Sequence, residues 1–153
     1  MSASSQDEFF MAQALQQAQK AAEAGETPVG AIIVLRGRQV IGRAHNQVEL
    51  LKDPTAHAEM IAITQAAAAV GDWRLTETVL YVTKEPCPMC AGAIVLARIP
   101  KVVFGASDPQ HAGVLDAREV IGGVLAAECR QLLQDFFQLV RREKQSESPD
   151  AIG

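Results

Sequence analysis

The sequence predicts an α/β layered domain in which helices cover both faces of a mixed sheet of about five strands. Two observations carry that expectation. Segments with helical apolar spacing alternate along the chain with short β-branched runs, and the breaks between them fall at glycine and proline. A third is length: 153 residues, 48% of them hydrophobic, suffice for a core but fit a second domain poorly. One domain over residues 1–153 is therefore expected, with 1–5 and 146–153 as flexible ends.

Ser5 followed by Glu8 has a capping-box spacing. Phe10, Ala14, Ala18, Ala21 and Ala22 then recur on one helical face until Gly25. Val29 to Leu35 is β-branched and apolar, Arg36-Gly37-Arg38 is a turn candidate, and Gln39 to Ala44 resumes an extended pattern, which reads as a β-hairpin. His45 to Thr55 reads as loop, its Asp53-Pro54 permitting a helix just beyond. That helix runs from about His57 to Val70 and stops at Gly71, so His57 and Glu59 sit in its first turn.

Thr78 to Thr83 reads as a strand. A loop carrying Pro86-Cys87-Pro88-Met89-Cys90 follows, and then an apolar helix over Ala91 to Ala97. Val102 to Phe104 is strand-like, Gly105 to Asp116 reads as loop, and Val120 to Val124 is a weak strand with two glycines. Leu125, Cys129, Leu132, Leu133, Phe136 and Val140 fall on one face of a last helix.

Composition excludes some classes of function. The net charge of −4 is the opposite of what a dedicated nucleic-acid binder carries, so any such contact must be a local patch. No apolar run is long enough to span a bilayer. An odd number of cysteines, two of them in CxxC, with no secretory signal points to reduced thiols and a cytoplasmic protein.

The chemistry concentrates in His57, Glu59, Cys87 and Cys90. One histidine and two cysteines give three ligands, one fewer than a closed structural zinc site uses, and an open fourth position holds a water that zinc can activate. Glu59 is placed to take that water's proton without being a ligand. The same CxxC is compatible with a non-catalytic module, either a thiol-redox pair or half of a structural zinc site. Cys129 fits the apolar face of the last helix. His45 and His111, isolated beside loops, read as solvated. Asn46 could present an amide to a heterocycle edge or serve as a turn residue. Trp73 reads as a packing residue, and neither it nor Tyr81 is given a role.

His57-Ala58-Glu59 with Pro86-Cys87-Pro88-Met89-Cys90 matches the H-x-E and P-C-x-x-C signature of the zinc nucleobase deaminases. Thr27 to Ala31, Asn46, Asp53 to Glu59, Cys90 to Ala93, Phe104 to Ala106 with Asp108, and Cys129 to Phe137 extend the likeness. Over residues 6–144 the chain resembles the bacterial tRNA adenosine deaminase family, of the cytidine/deoxycytidylate deaminase superfamily.

That resemblance implies a three-layer α-β-α cytidine-deaminase-like fold, one Zn2+ per chain and a homodimer. The implied reaction is hydrolytic deamination of the wobble adenosine in a tRNA anticodon loop, giving inosine and ammonia. His57, Cys87 and Cys90 would hold the metal, and Glu59 would shuttle the proton. Asn46 and the Ala58 backbone would read the base edge, and Val29 would line the pocket. Asp108 would lie near a ribose hydroxyl, while Phe136, Phe137, Arg141 and Arg142 would meet the RNA. Two departures fall on the RNA side: the stretch after Asp108 is shorter than in the usual bacterial form, and Gln138 stands where an arginine is common. They keep a free guanine or cytosine base or nucleoside in view as an alternative substrate.

Overall fold

The computed structural model describes residues 4–146. Five strands, β1 (Gly30–Leu35), β2 (Gln39–His45), β3 (Thr78–Lys84), β4 (Lys101–Ala106) and β5 (Glu119–Ile121), form one sheet in the order β2-β1-β3-β4-β5. The β1–β2 and β1–β3 pairs are antiparallel, and β3–β4 and β4–β5 are parallel, so the sheet is mixed as expected. Arg36 and Gly37 both have positive φ, as a tight hairpin turn requires.

Period-two alternation divides the strand side chains between two cores. Ile33, Leu80, Val82 and Val102 face helices α3 (Ala58–Val70) and α4 (Pro88–Leu96). Ile32, Val34, Tyr81 and Val103 face α1 (Ser5–Glu23) and α5 (Ala126–Ser146). Two glycines allow helices to lie directly on strands. A Cβ on Gly30 would collide with the α1 backbone at Ala14 and Ala18, and one on Gly105 would collide with Cys129 of α5. Cys129 is core, as expected, at 1% exposure.

Several boundaries differ from expectation. The capping box of α1 is Ser4 with Asp7, one residue before the predicted Ser5 and Glu8, so Ser4 is the N-cap and Ser5 the first residue of the helix. Of the expected flexible ends, residues 1–3 and 147–153 lie outside the described residues. Asp7 won the register because its carboxylate also accepts from the buried Tyr81 hydroxyl, at 3.0 Å, and faces Lys101 at 3.7 Å. The expected loop after His45 contains a single-turn helix, α2 (Val48–Leu51). Its free amides at Glu49 and Leu50 donate to the buried Glu26 carboxylate, a cap supplied from a different part of the chain.

The expected last strand ends at Ile121, before both glycines. Trp73 is half-exposed rather than packed, with the Arg74 and Arg98 guanidiniums 4.5 and 5.6 Å from its ring centre. The connection from β4 to β5, residues 107–118, is a crossover whose only regular structure is a 3-10 turn at Pro109–His111. Its Leu115 and Ala117 pack on the core beneath α3 and α4.

Candidate metal centre and substrate cleft

The metal-ligand candidates come from the starts of two helices. His57 is the N-cap of α3, Cys87 is the N-cap of α4, and Cys90 lies in the first turn of α4. Gly71 in the left-handed region closes α3, and Pro88 at the first position of α4 fixes its opening φ. Both helix N-termini point their positive ends at one spot, which favours thiolate and carboxylate there. Glu59 follows His57 by two residues; only an end-on arrangement in a first turn turns both inward, and that arrangement is found.

The His57 Nδ1 atom is 3.5 Å from the Sγ of Cys87 and 3.5 Å from that of Cys90. Tetrahedral zinc, with bonds of about 2.3 Å to sulfur and 2.0 Å to nitrogen, separates such a pair by about 3.5 Å. The triad therefore has the spacing of a metal face and can hold a metal ion; its ligand atoms all lie within 4.8 Å of one another. Cys129, the third cysteine, stands apart in the opposite core.

Glu59 is 4% exposed. Burial pushes its carboxyl pKa up, against the pull of its own amide, His57, Cys90 and Lys84. Burial likewise drives the Cys90 thiol upward, helped by the Glu59 carboxylate and Cys87. A bound cation would favour the anionic forms of both groups, which burial disfavours.

A cavity of about 520 Å3 opens beside His57, bounded by Asn46, Glu26, Thr27, Phe136 and Val140. Three of the predicted residues thus converge: Asn46, His57 and Phe136. Asn46 is buried, its amide N–H donates to the Val29 carbonyl at 3.1 Å, and its Oδ1 accepts from the Ala58 N–H at 3.0 Å. The side-chain NH2 of Asn46 is then the group left to face the cleft.

The Ala58 N–H donates to Asn46, and Val29, whose carbonyl accepts from the Asn46 backbone N–H, packs into the core behind it. Phe137, half-exposed, stacks edge-on against Phe136 at 5.5 Å. Arg141 and Arg142 are exposed on the last turns of α5.

Asp108 begins the 3-10 turn, accepts from the Gln110 amide at 3.0 Å, and pairs with Lys84 at 3.0 Å. His111, expected to be solvated, stands half-buried with Nδ1 3.2 Å from the Asp108 carboxylate. Sequence reasoning missed Glu26, Lys84 and Glu85. None belongs to a ligand spacing, and each acts through a partner remote in sequence.

Residues 5–141 match the MafB19-like deaminase family. The chain is 47% identical to the tRNA-specific adenosine deaminase of Bacillus subtilis, over 92% of this chain and 94% of that one. A solved structure from a study of A-to-I editing by tRNA:A34 deaminases superposes with a TM-score of 0.75 at 39% identity, covering 82% of this chain and 99% of that chain. A guanine deaminase from Bacillus subtilis superposes with a TM-score of 0.63 at 41% identity, covering 71% of each chain.

Proposed function

The chain belongs to the MafB19-like deaminase family, to which its likeness to tRNA-specific adenosine deaminases also points, and from that premise we propose the function in full. It deaminates the wobble adenosine, position 34, of tRNA to inosine: water adds to the purine, and the exocyclic amine leaves as ammonia. The observation that carries this reading is the convergence of His57, Cys87, Cys90 and Glu59 beside a cleft walled by Asn46 and Phe136.

We assign one zinc ion per chain to His57, Cys87 and Cys90. When bound, zinc supplies an activated water at neutral pH. Glu59 would accept a proton from that water and deliver it to the purine ring nitrogen, then take the proton of the added hydroxyl and pass it to the amine that leaves as ammonia. Its burial supports this role, because a desolvated carboxyl holds and releases a proton nearer neutral pH than a solvated one does. Asn46 offers its NH2 to the base edge, with Val29 and Ala58 holding it in place.

Phe136 and Phe137 give the unstacked nucleotides an aromatic platform, and Arg141 and Arg142 supply the positive patch that an acidic chain needs for RNA. Asp108 stands at the rim for a sugar hydroxyl. The protein works in the cytoplasm as a homodimer of single-domain chains, each with its own centre. Among the described residues no helix is long and apolar enough to cross a membrane.

The test is inosine formation at the wobble position of an unmodified anticodon stem-loop by the zinc-loaded protein, with ammonia release from free guanine and cytosine run alongside. Editing of the RNA without release from the bases is expected. Release from guanine with an unedited stem-loop would move the substrate to the free base, the reading that the guanine deaminase likeness favours.

A further inference from the structure

The cleft has one wall that the core does not hold. Val48 and Glu49 of α2 line it together with Asn46, His57 and Phe136. None of the residues of α2 is buried, and Leu50 and Leu51 stand 71% and 54% exposed. The loop around α2 closes on itself: the Gln47 N–H donates to the Ala56 carbonyl at 3.0 Å, and the Asp53 N–H to the Val48 carbonyl at 3.1 Å. Among the described residues, the only hydrogen bonds that tie α2 to the chain outside residues 46–57 are made by the Glu26 carboxylate.

Glu26 is itself firmly placed. It is 2% exposed, with Oε1 accepting from the Glu49 N–H and Oε2 from the Leu50 N–H, both at 2.9 Å. Gln47, at the N-cap of α2, makes no side-chain capping bond, so Glu26 takes the part of a local cap and adds a tether that a local cap lacks. A Schellman turn at the end of α1 fixes its backbone. There Gly25 has φ of 77°, the Glu26 N–H donates to the Ala21 carbonyl at 2.9 Å, and the Gly25 N–H donates to that of Ala22 at 3.1 Å. One carboxylate thus joins the end of α1 to a wall of the cleft.

We propose that Glu26 is a positioning residue for the RNA substrate: by tying α2 to the end of α1, it keeps Val48 and Glu49 where the bound nucleotide needs its wall. This rests on the RNA reading above, and it goes beyond it by naming a residue whose carboxylate is spent on the protein's own amides. The rest of the site does not depend on it. Asn46 has its own bonds to Val29 and Ala58, and the metal triad and Glu59 stand at the starts of α3 and α4. Without the tether, α2 is in place for only a fraction of the time, and the apparent affinity for RNA falls by that fraction. Bound RNA keeps the wall in place, so turnover at saturation is retained.

The experiment compares the full zinc-loaded chain with its Glu26→Gln and Glu26→Ala variants on an anticodon stem-loop. Glutamine keeps the shape but presents one acceptor oxygen where two amides donate, and alanine presents none. KM and kcat for inosine formation are measured, together with Kd by fluorescence anisotropy, amide hydrogen exchange by mass spectrometry, zinc content and Tm. Glu26→Gln is expected to raise KM and Kd roughly tenfold, as for a wall in place about a tenth of the time, and Glu26→Ala to raise them further. Exchange over residues 48–51 should quicken in the free variants. Turnover at saturation, zinc content and exchange in α3 and α4 should stay as in the wild type.

Unchanged KM and Kd, exchange over residues 48–51 no faster than in the wild type, or a fall in kcat accompanied by zinc loss would each overturn the proposal. If the variants lower Tm, the wild type still decides the matter: the stem-loop should slow exchange over residues 48–51, and exchange there indifferent to bound RNA overturns it. Editing by the wild type, with variants indistinguishable from it, defeats this proposal alone. Wild-type protein that binds the stem-loop without editing it defeats the deamination reading and leaves this one to stand or fall on Kd and exchange. Protein that does not bind it defeats both.

Discussion

Two buried carboxylates, one on each face of the sheet, are pushed in opposite directions by what surrounds them. Asp7 is 2% exposed and Glu59 is 4% exposed. Around Asp7, burial works against the charge, yet the Ser4 amide and hydroxyl, the Tyr81 hydroxyl and Lys101 together hold its pKa below the usual carboxylate range. Around Glu59 burial wins, and the pKa is held above that range. A carboxylate surrounded by donors is spent on stability; one left short of donors at the end of a helix keeps its proton chemistry available.

The largest effect that sharpens this contrast lies beside Glu59. Cys87→Ala should lose both zinc and activity, since removing one of three ligands leaves an incomplete metal face. Zinc by atomic absorption and inosine by sequencing check it, and a variant that keeps a full equivalent of zinc would overturn the ligand assignment. On the other face, Asp7→Ala removes the first-turn cap and orphans the Tyr81 hydroxyl. It should cost roughly 2–3 kcal/mol of stability by denaturant unfolding, with kcat unchanged.

A smaller effect concerns pH. Because the folded pKa of Asp7 is depressed, its contribution is complete above its unfolded value near 3.8 and is lost as pH falls from there through the lower folded value. Asp7→Asn should therefore flatten the acid limb of the stability profile below about pH 4. An unaltered limb would show that Asp7 is not the titrating group. Smallest of all, Arg36→Met breaks an exposed 2.8 Å pair with Glu77 and should leave Tm and editing where they were.

The same contrast explains what could be read in the sequence. The grouping of His57, Cys87 and Cys90 was legible because residues able to hold a metal ion stand at specific spacings at helix starts, and Gly71 and Pro88 mark where those helices end and begin. The sheet order was not legible, although the number of strands was, since alternation reports burial and not partners. Asp7 was displaced by Glu8 in the predicted capping box because Ser4-x-x-Asp7 and Ser5-x-x-Glu8 are equally good locally. Tyr81 and Lys101 decide between them, and both are remote.

For the same reason α2 read as loop, its cap being Glu26, and the hold on Asp108 by Lys84, Glu85 and His111 left no trace in spacing. Asn46 stood between base reader and turn residue. Its bond to the Ala58 N–H fixes it beside His57, a contact that appears only when β2 and α3 pack together.

The most direct test takes one preparation of Glu59→Gln, grown with zinc, and measures zinc per chain and inosine formed on the anticodon stem-loop from the same sample. One zinc per chain with turnover reduced roughly 10²- to 10⁴-fold, and a Tm no lower than the wild type's, is the expected result for a buried carboxyl that moves protons without holding metal. Turnover that survives, or zinc that leaves with the carboxylate, would contradict it.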